Sequence, residues 1–202
     1  MNKNNKTKEL IFDTSLELLR KNHNLTLKAI ADKASVNIAA INYYFVDKEH
    51  LIENIVSSEI RGAKEHISML LDNFEKSNNN EQTFVSIMSY LYDFAIKDLG
   101  ILEYLLNSNN NLADMAILTY IHEVSLDSVF MDKVMRYVRK LSPFYDMDDC
   151  KVRYIQMIST FAFPILCELN YIPKNMLYFN SITDEAFRKQ YIKQLTKTFF
   201  NL

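Results

Sequence analysis

Apolar residues recur along most of this chain at intervals of three and four, the period of a helix with one face turned inward. In residues 6–21, Leu10, Ile11, Leu18 and Leu19 follow that period with Phe12 and Leu16 between them. The spacing predicts an amphipathic helix ending near Asn22-His23-Asn24. Thr26 precedes Leu27 to Ala34, a short segment with Ile30, Ala31 and Ala34 on one face, and is placed to cap it. Ser35 and Val36 break the pattern. Asn37 opens a third helix from about Ile38 to Phe45, and Asp47 a fourth, whose apolar positions run from Leu51 and Ile55 to Leu71 and Phe74.

Ser77-Asn78-Asn79-Asn80 reads as a polar linker. Beyond it, Glu81 to Leu99 is aromatic-rich at helix spacing, and Ile101 to Leu106 forms a short helix before a break at Asn107 to Asn111. Leu112 to Leu141 reads as one long helix or two abutting ones, ended by Ser142-Pro143. A further helix spans about Asp148 to Asn170 and is closed by Pro173; Thr183 or Asp184 caps a last one reaching Phe200. The pattern predicts an all-α chain of about nine helices, residues 1–50 forming a small head and 51–202 a helical body.

Composition narrows the function classes. The 202 residues include two Gly and three Pro, where average usage predicts about 14 and about 10. No Asn-Gly or Asp-Gly pair occurs, which argues against the tight hairpins of a sandwich or barrel. With Gly only at positions 62 and 100, neither a P-loop nor G-x-G-x-x-G can be written. Cys150 and Cys167 have no C-x-x-C spacing, so no zinc site or disulfide framework is expected. The four His show no H-E-x-x-H pattern, and no other catalytic constellation stands out. No enzyme, metal or cofactor is therefore predicted. No stretch approaches 18 apolar residues, and a cytoplasmic protein without a membrane partner is expected.

The segment from Thr26 to Leu51 is the most specific feature. A helix of eight residues, a turn of three and a second short helix make a helix-turn-helix, whose second helix can enter the major groove of DNA. Ile30, Ala31, Ala34, Val36 and Ile41 supply the small and apolar inward positions, and Tyr44 and Phe45 close the underside. Charge agrees in sign. Residues 1–50 hold eight Lys or Arg against six Asp or Glu, and 51–202 fifteen against nineteen. Lys3, Lys6 and Lys8 suggest a flexible basic arm or simply a solvated terminus.

The string TLKAIADKASVNIAAINYYFVDKEHL resembles the N-terminal DNA-binding domain of the tetracycline-repressor-like (TetR) transcriptional regulators, through Thr26, Ile30, Ala31, Ala34, Val36, Ile41, Tyr44, Phe45, Lys48, Glu49 and Leu51. Ser35 stands where that family usually has Gly; in a left-handed conformation it costs about 1 kcal/mol that Gly would not. The resemblance assigns double-stranded DNA as partner and contact to the exposed face of the third helix. Ile38, Ala39 and Ala40 offer methyl contacts, Asn42 can pair with adenine or phosphate, and Tyr43 can reach phosphate or sugar. Lys28 can reach a phosphate or a groove-edge base, and Lys48 serves a phosphate, as Thr26 can; Asn37 is a cap or a contact.

For the body, the resemblance implies a small effector held in the bundle and a homodimer formed by the last two helices. Met and aromatic residues concentrate where such a pocket would lie: Phe84, Met88, Tyr92 and Tyr104, then Met115, Tyr120, Met131 and Met157, with Glu103, His122 or Glu123 as polar anchors. The same residues also suit a plain core. The dimer face would use Ile155, Ile158, Phe161, Ala162 and Ile165 from one helix and Ile192, Leu195 and Phe199 from the other. A ligand-responsive repressor on a palindromic operator follows; the alternative is a helical DNA-binding protein without effector, acting structurally or through a protein partner.

Overall fold

Local capping sets most helix starts in the computed structural model, which describes residues 3–21, 25–77, 79–107, 111–141, 146–169 and 181–200. Among these, α1 spans Lys3–Arg20, α2 Leu27–Ala34, α3 Ile38–Phe45, α4 Lys48–Ser77, α5 Asn80–Lys97 and α6 Leu99–Asn107. They are followed by α7 at Leu112–Tyr120, α8 at Ser128–Leu141, α9 at Met147–Glu168 and α10 at Glu185–Phe200. Side chains of Asn79, Asp127, Asp146 and Asp184 each accept from a backbone N–H in the first turn of α5, α8, α9 and α10. Asp146 and Asp149 form a reciprocal capping box.

These are ten α-helices where the pattern suggests about nine, because the stretch from Leu112 to Leu141 is divided. A π-helical turn, Ile121–Ser125, follows α7, and Asp127 then caps α8 afresh. The helix breaks expected at 22–24, 108–110, 142–143 and 173 lie outside the described residues. No helix among the described residues is long and apolar enough to cross a membrane.

The chain divides into two compact units, Met1–Arg61 with Lys97–Glu123, and Gly62–Ile96 with Val124–Leu202. The first thus takes in more than residues 1–50, because α6 packs on α1 and α7 on α6. Ile11, Leu19, Ile30, Ile41, Leu51 and Ile55 are fully buried in its core. Each such side chain contributes about 1.5–3 kcal/mol through the apolar surface it removes from water. Gly100, expected between two helices, sits in the first turn of α6; a Cβ there would stand 2.5 Å from the carbonyl oxygens of Leu19 and Arg20. Its absence lets α6 meet the end of α1. Arg20 tightens the same joint, its Nε donating to Asp98 Oδ1 at 2.6 Å and its Nη2 to Glu59 Oε2 at 2.7 Å.

In the second unit, Phe84 of α5 packs on Phe199 and Phe200 of α10, and Tyr92 lies against Phe161 and Tyr191. Glu168, at the end of α9, accepts from Ser181 Oγ and the Ile182 N–H and so ties down the approach to α10. Pro164 is buried inside α9, which continues past it to Glu168. Gly62 lies in α4 with open space where a Cβ would be, so close packing does not account for it.

Candidate nucleic-acid interface

The two short helices are bounded by side-chain caps that orient them before any tertiary contact acts. The Thr26 hydroxyl accepts from the Ala29 N–H at 3.0 Å and starts α2. Ser35 ends it in the left-handed region, φ 53° and ψ 43°, and the Val36 N–H returns to the Ala31 carbonyl at 3.0 Å. The conformation for which Gly is the unstrained choice is therefore present. Asn37 Oδ1 then accepts from the Ala40 N–H at 2.7 Å and starts α3.

One face of α3 is inward, with Ile41 and Phe45 buried and Tyr44 half-buried. The other presents Ile38, Ala39, Asn42 and Tyr43, and Tyr43 is 76% exposed. Ala40 is half-buried at the edge. Lys28 on α2 and Thr26 are exposed, and Lys48 is half-buried in the first turn of α4. The Tyr43 ring stands edge-on to Tyr44, centroids 5.0 Å apart, which steadies a side chain otherwise in solvent. All nine residues singled out from the sequence thus belong to the α2–α3–α4 segment. Asn37 and Thr26 spend a side-chain oxygen on capping.

The turn after α3 holds a feature that residue pattern alone does not reveal. Val46 has φ 66° and ψ −61°, and the Asp47 N–H donates to the Phe45 carbonyl at 2.7 Å across it. This is a γ-turn of the rare positive-φ kind, disfavoured for any β-branched residue. Val46 is 70% exposed, so no burial of its side chain accounts for the conformation. Asp47 Oδ1 accepts from the His50 N–H at 2.8 Å and lies 2.9 Å from His50 Nδ1. The bonds from His50 hold the Asp47 carboxyl below its ordinary range, and the same carboxylate raises His50. The start of α4 is therefore pinned beside Lys48.

The lysines proposed as a flexible arm are instead part of α1, and Lys8 Nζ lies 5.5 Å from the centroid of the Phe45 ring. Helix α1 begins at Lys3, ahead of its first apolar residue, Leu10, and gives those lysines a helical backbone.

The effector and dimer residues are distributed differently from expectation. Tyr104 and Met115 pack against the core of the first unit, and Tyr120 is exposed at the end of α7. In the second unit Phe84, Met88 and Tyr92 are buried core, and Met131 and Met157 are half-buried. None of the eight lines either described cavity, one bounded by Asn79, Asn80, Glu81 and Phe200, the other lying along α4 and α8. Of the dimer candidates, Ile165 on α9 is buried within the protomer, and so are Ile192, Leu195 and Phe199, because α10 turns its apolar side inward and its lysines outward. Phe161 and Ala162 are half-buried, while Ile155 and Ile158 are exposed.

Residues 11–55 match the model of the bacterial regulatory proteins of the tetR family. No protein of curated function matches the sequence. Among solved structures, one from Mesorhizobium loti assigned to the tetR family of transcriptional regulators aligns over 100% of this chain and 98% of its own, with 13% identity and a TM-score of 0.69. A Rhodococcus protein of unknown function aligns over 96% and 94%, with 14% identity and a TM-score of 0.59. A Shewanella structure assigned to the tetR family aligns over 96% of both chains, with 14% identity and a TM-score of 0.54. At such identities these three speak for the fold. The family match lies across the capped helix-turn-helix, so it is the N-terminal segment of this chain, residues 11–55, that is similar to the tetR family of bacterial regulatory proteins.

Proposed function

We propose that this regulator represses transcription by binding a palindromic operator as a homodimer and releases it when a small effector binds. The observation that carries the reading is the exposed face of α3, where Ile38, Ala39, Asn42 and Tyr43 stand clear of the core between two capped helices. Asn42 reads a base edge, Lys28 reaches a base at the groove edge, Ile38 and Ala39 contact thymine methyls, and Tyr43 and Lys48 hold the backbone. The protein acts by binding rather than by catalysis.

Pairing of two copies is supported by α9. Val152, Ile155, Phe163 and Leu166 are between 51% and 62% exposed and fall at helical spacing along one stripe of that helix, beside Ile158. A two-fold axis across this stripe lays it on its own copy and gives two α3 helices for two half-sites. The close packing of Phe84, Met88 and Tyr92 favours one other reading, a DNA-binding protein without an effector in the bundle centre.

Selection of duplexes from a random pool tests the assignment. The wild type is expected to return a palindrome, with Asn42→Ala and Lys28→Ala relaxing the half-site preference. Phe163→Glu is expected to give a monomer by light scattering and to weaken operator retention. A non-palindromic consensus, or one unchanged in both head variants, would overturn the assignment.

A further inference from the structure

In the second unit, α4 and α8 are joined by ion pairs whose residue numbers rise together. Lys64 Nζ meets Asp127 Oδ2 at 3.0 Å, Lys133 Nζ meets Asp72 Oδ1 at 2.7 Å, and Arg136 Nη2 meets Glu75 Oε1 at 3.5 Å. The helices therefore run in the same direction, and base is matched by acid along the seam as far as Glu75. Beyond that point the acids stop while the bases continue. Arg139 and Lys140 are exposed in the last turn of α8, and Lys140 Nζ lies 4.9 Å from the centroid of the Phe74 ring.

A cavity of about 180 Å³ opens at this place. Its floor is Leu71, Phe74 and Tyr137, all buried, the two rings meeting edge-on at 5.0 Å. Its rim carries Lys133, Arg136, Arg139 and Lys140, with Glu75 as its one acid among the described lining residues. Against Asp72 and Glu75, these four cations leave a surplus of positive charge over an apolar hollow among the described residues. A cavity of about 150 Å³ lined by apolar side chains accepts benzene, so the space here suits an aromatic ring. A carboxylate on that ring would emerge beside Arg139 and Lys140, for which no acid is in ion-pair range among the described residues, and Arg offers it a two-pronged donor.

We infer that the α4–α8 seam is a binding site for an aromatic carboxylate, the ring on Phe74 and Tyr137 and the carboxylate between Arg139 and Lys140. Occupancy of the site is independent of the regulator reading, whereas any effect on operator binding rests on it.

The full-length protein is titrated with naphthoate, with the uncharged naphthamide as control, following heat or tyrosine emission. Saturable binding of naphthoate at least about tenfold tighter than of the amide is expected, a preference that Arg139→Gln with Lys140→Gln abolishes. Lys193→Gln with Lys197→Gln, a pair of exposed charges on α10, leaves it unchanged. Absence of saturation, equal affinity for acid and amide, or an unaltered preference in the Arg139/Lys140 variant would overturn the site. Operator retention with and without naphthoate separates the two claims. Binding without release of DNA keeps the site and removes it as the effector site, and a protein that binds naphthoate but no duplex rejects the regulator reading alone.

Discussion

Pro164 leaves the carbonyl of Thr160 without the amide donor that helix α9 would otherwise supply four residues on, and two tyrosines take its place. Tyr92 Oη from α5 and Tyr191 Oη from α10 each donate to the Thr160 oxygen at 2.9 Å. Proline lacks the N–H, so a helix that continues through it exposes one acceptor. Here that acceptor holds three helices together. Burial raises both phenols above the ordinary tyrosine value, so they stay protonated donors.

Tyr92→Phe should cost about 1 kcal/mol of stability, since Tyr191 still serves the carbonyl. Tyr92→Phe with Tyr191→Phe should cost about 2–3 kcal/mol, because a buried acceptor is then unpaired. In a Pro164→Ala background the alanine N–H can reach Thr160, and the double tyrosine penalty should shrink by about 0.5 kcal/mol or more. Urea unfolding of the cycle measures the coupling, and additive values would remove the shared-acceptor account.

The two glycines should respond in opposite directions. Gly100→Ala places a Cβ 2.5 Å from two backbone carbonyl oxygens that cannot swing aside, and should destabilise by about 1–3 kcal/mol or more. Gly62→Ala meets nothing within 4 Å inside a continuous helix and should stabilise by about 0.5–1 kcal/mol. Thermal unfolding of both variants checks the contrast.

Val46→Gly should raise stability by up to about 1 kcal/mol, because Gly accepts φ 66° without the clash that a β-branched residue incurs. The Gly backbone entropy opposes part of that gain. If the strained turn also orients α3, the same variant should weaken operator binding while the melting temperature rises; the two readouts are taken on one preparation.

Glu59 gives a pH prediction. Burial and the neighbouring Asp98 raise its carboxyl above the usual value of 4.5, and Arg20 and Lys97 only partly offset them. A group with a raised folded pKa binds its proton more tightly in the native state. Its favourable contribution is therefore complete below 4.5 and is lost as pH rises through the folded value. Glu59→Gln keeps an acceptor for Arg20 and removes the like charge. Its stability should fall less than that of the wild type as pH rises from 4.5 toward neutrality, and equal slopes would exclude Glu59 as the titrating group.

Helix positions and the helix-turn-helix were legible because both rest on short-range physics. Thr26, Asn37 and Asp47 cap helices that begin within two residues of them, and Ser35 takes the left-handed turn its place in the motif calls for. Face assignment in the body was not legible in the same way. Residues on α9 and α10 are apolar on more than one side, so periodicity alone cannot say which side a neighbour covers. Ile192 and Phe199 went to the core, and Ile155 stayed in solvent.

By itself, then, the sequence determined an all-α chain, its capped short helices and the apolar underside of α3, since each depends on residues within about one turn of one another. Only tertiary structure decided that Arg20 joins acids 39 and 78 residues away, that Gly100 is small for the sake of α1, and that two distant tyrosines answer Pro164. Those contacts exist because particular helix faces meet. No local preference encodes the meeting.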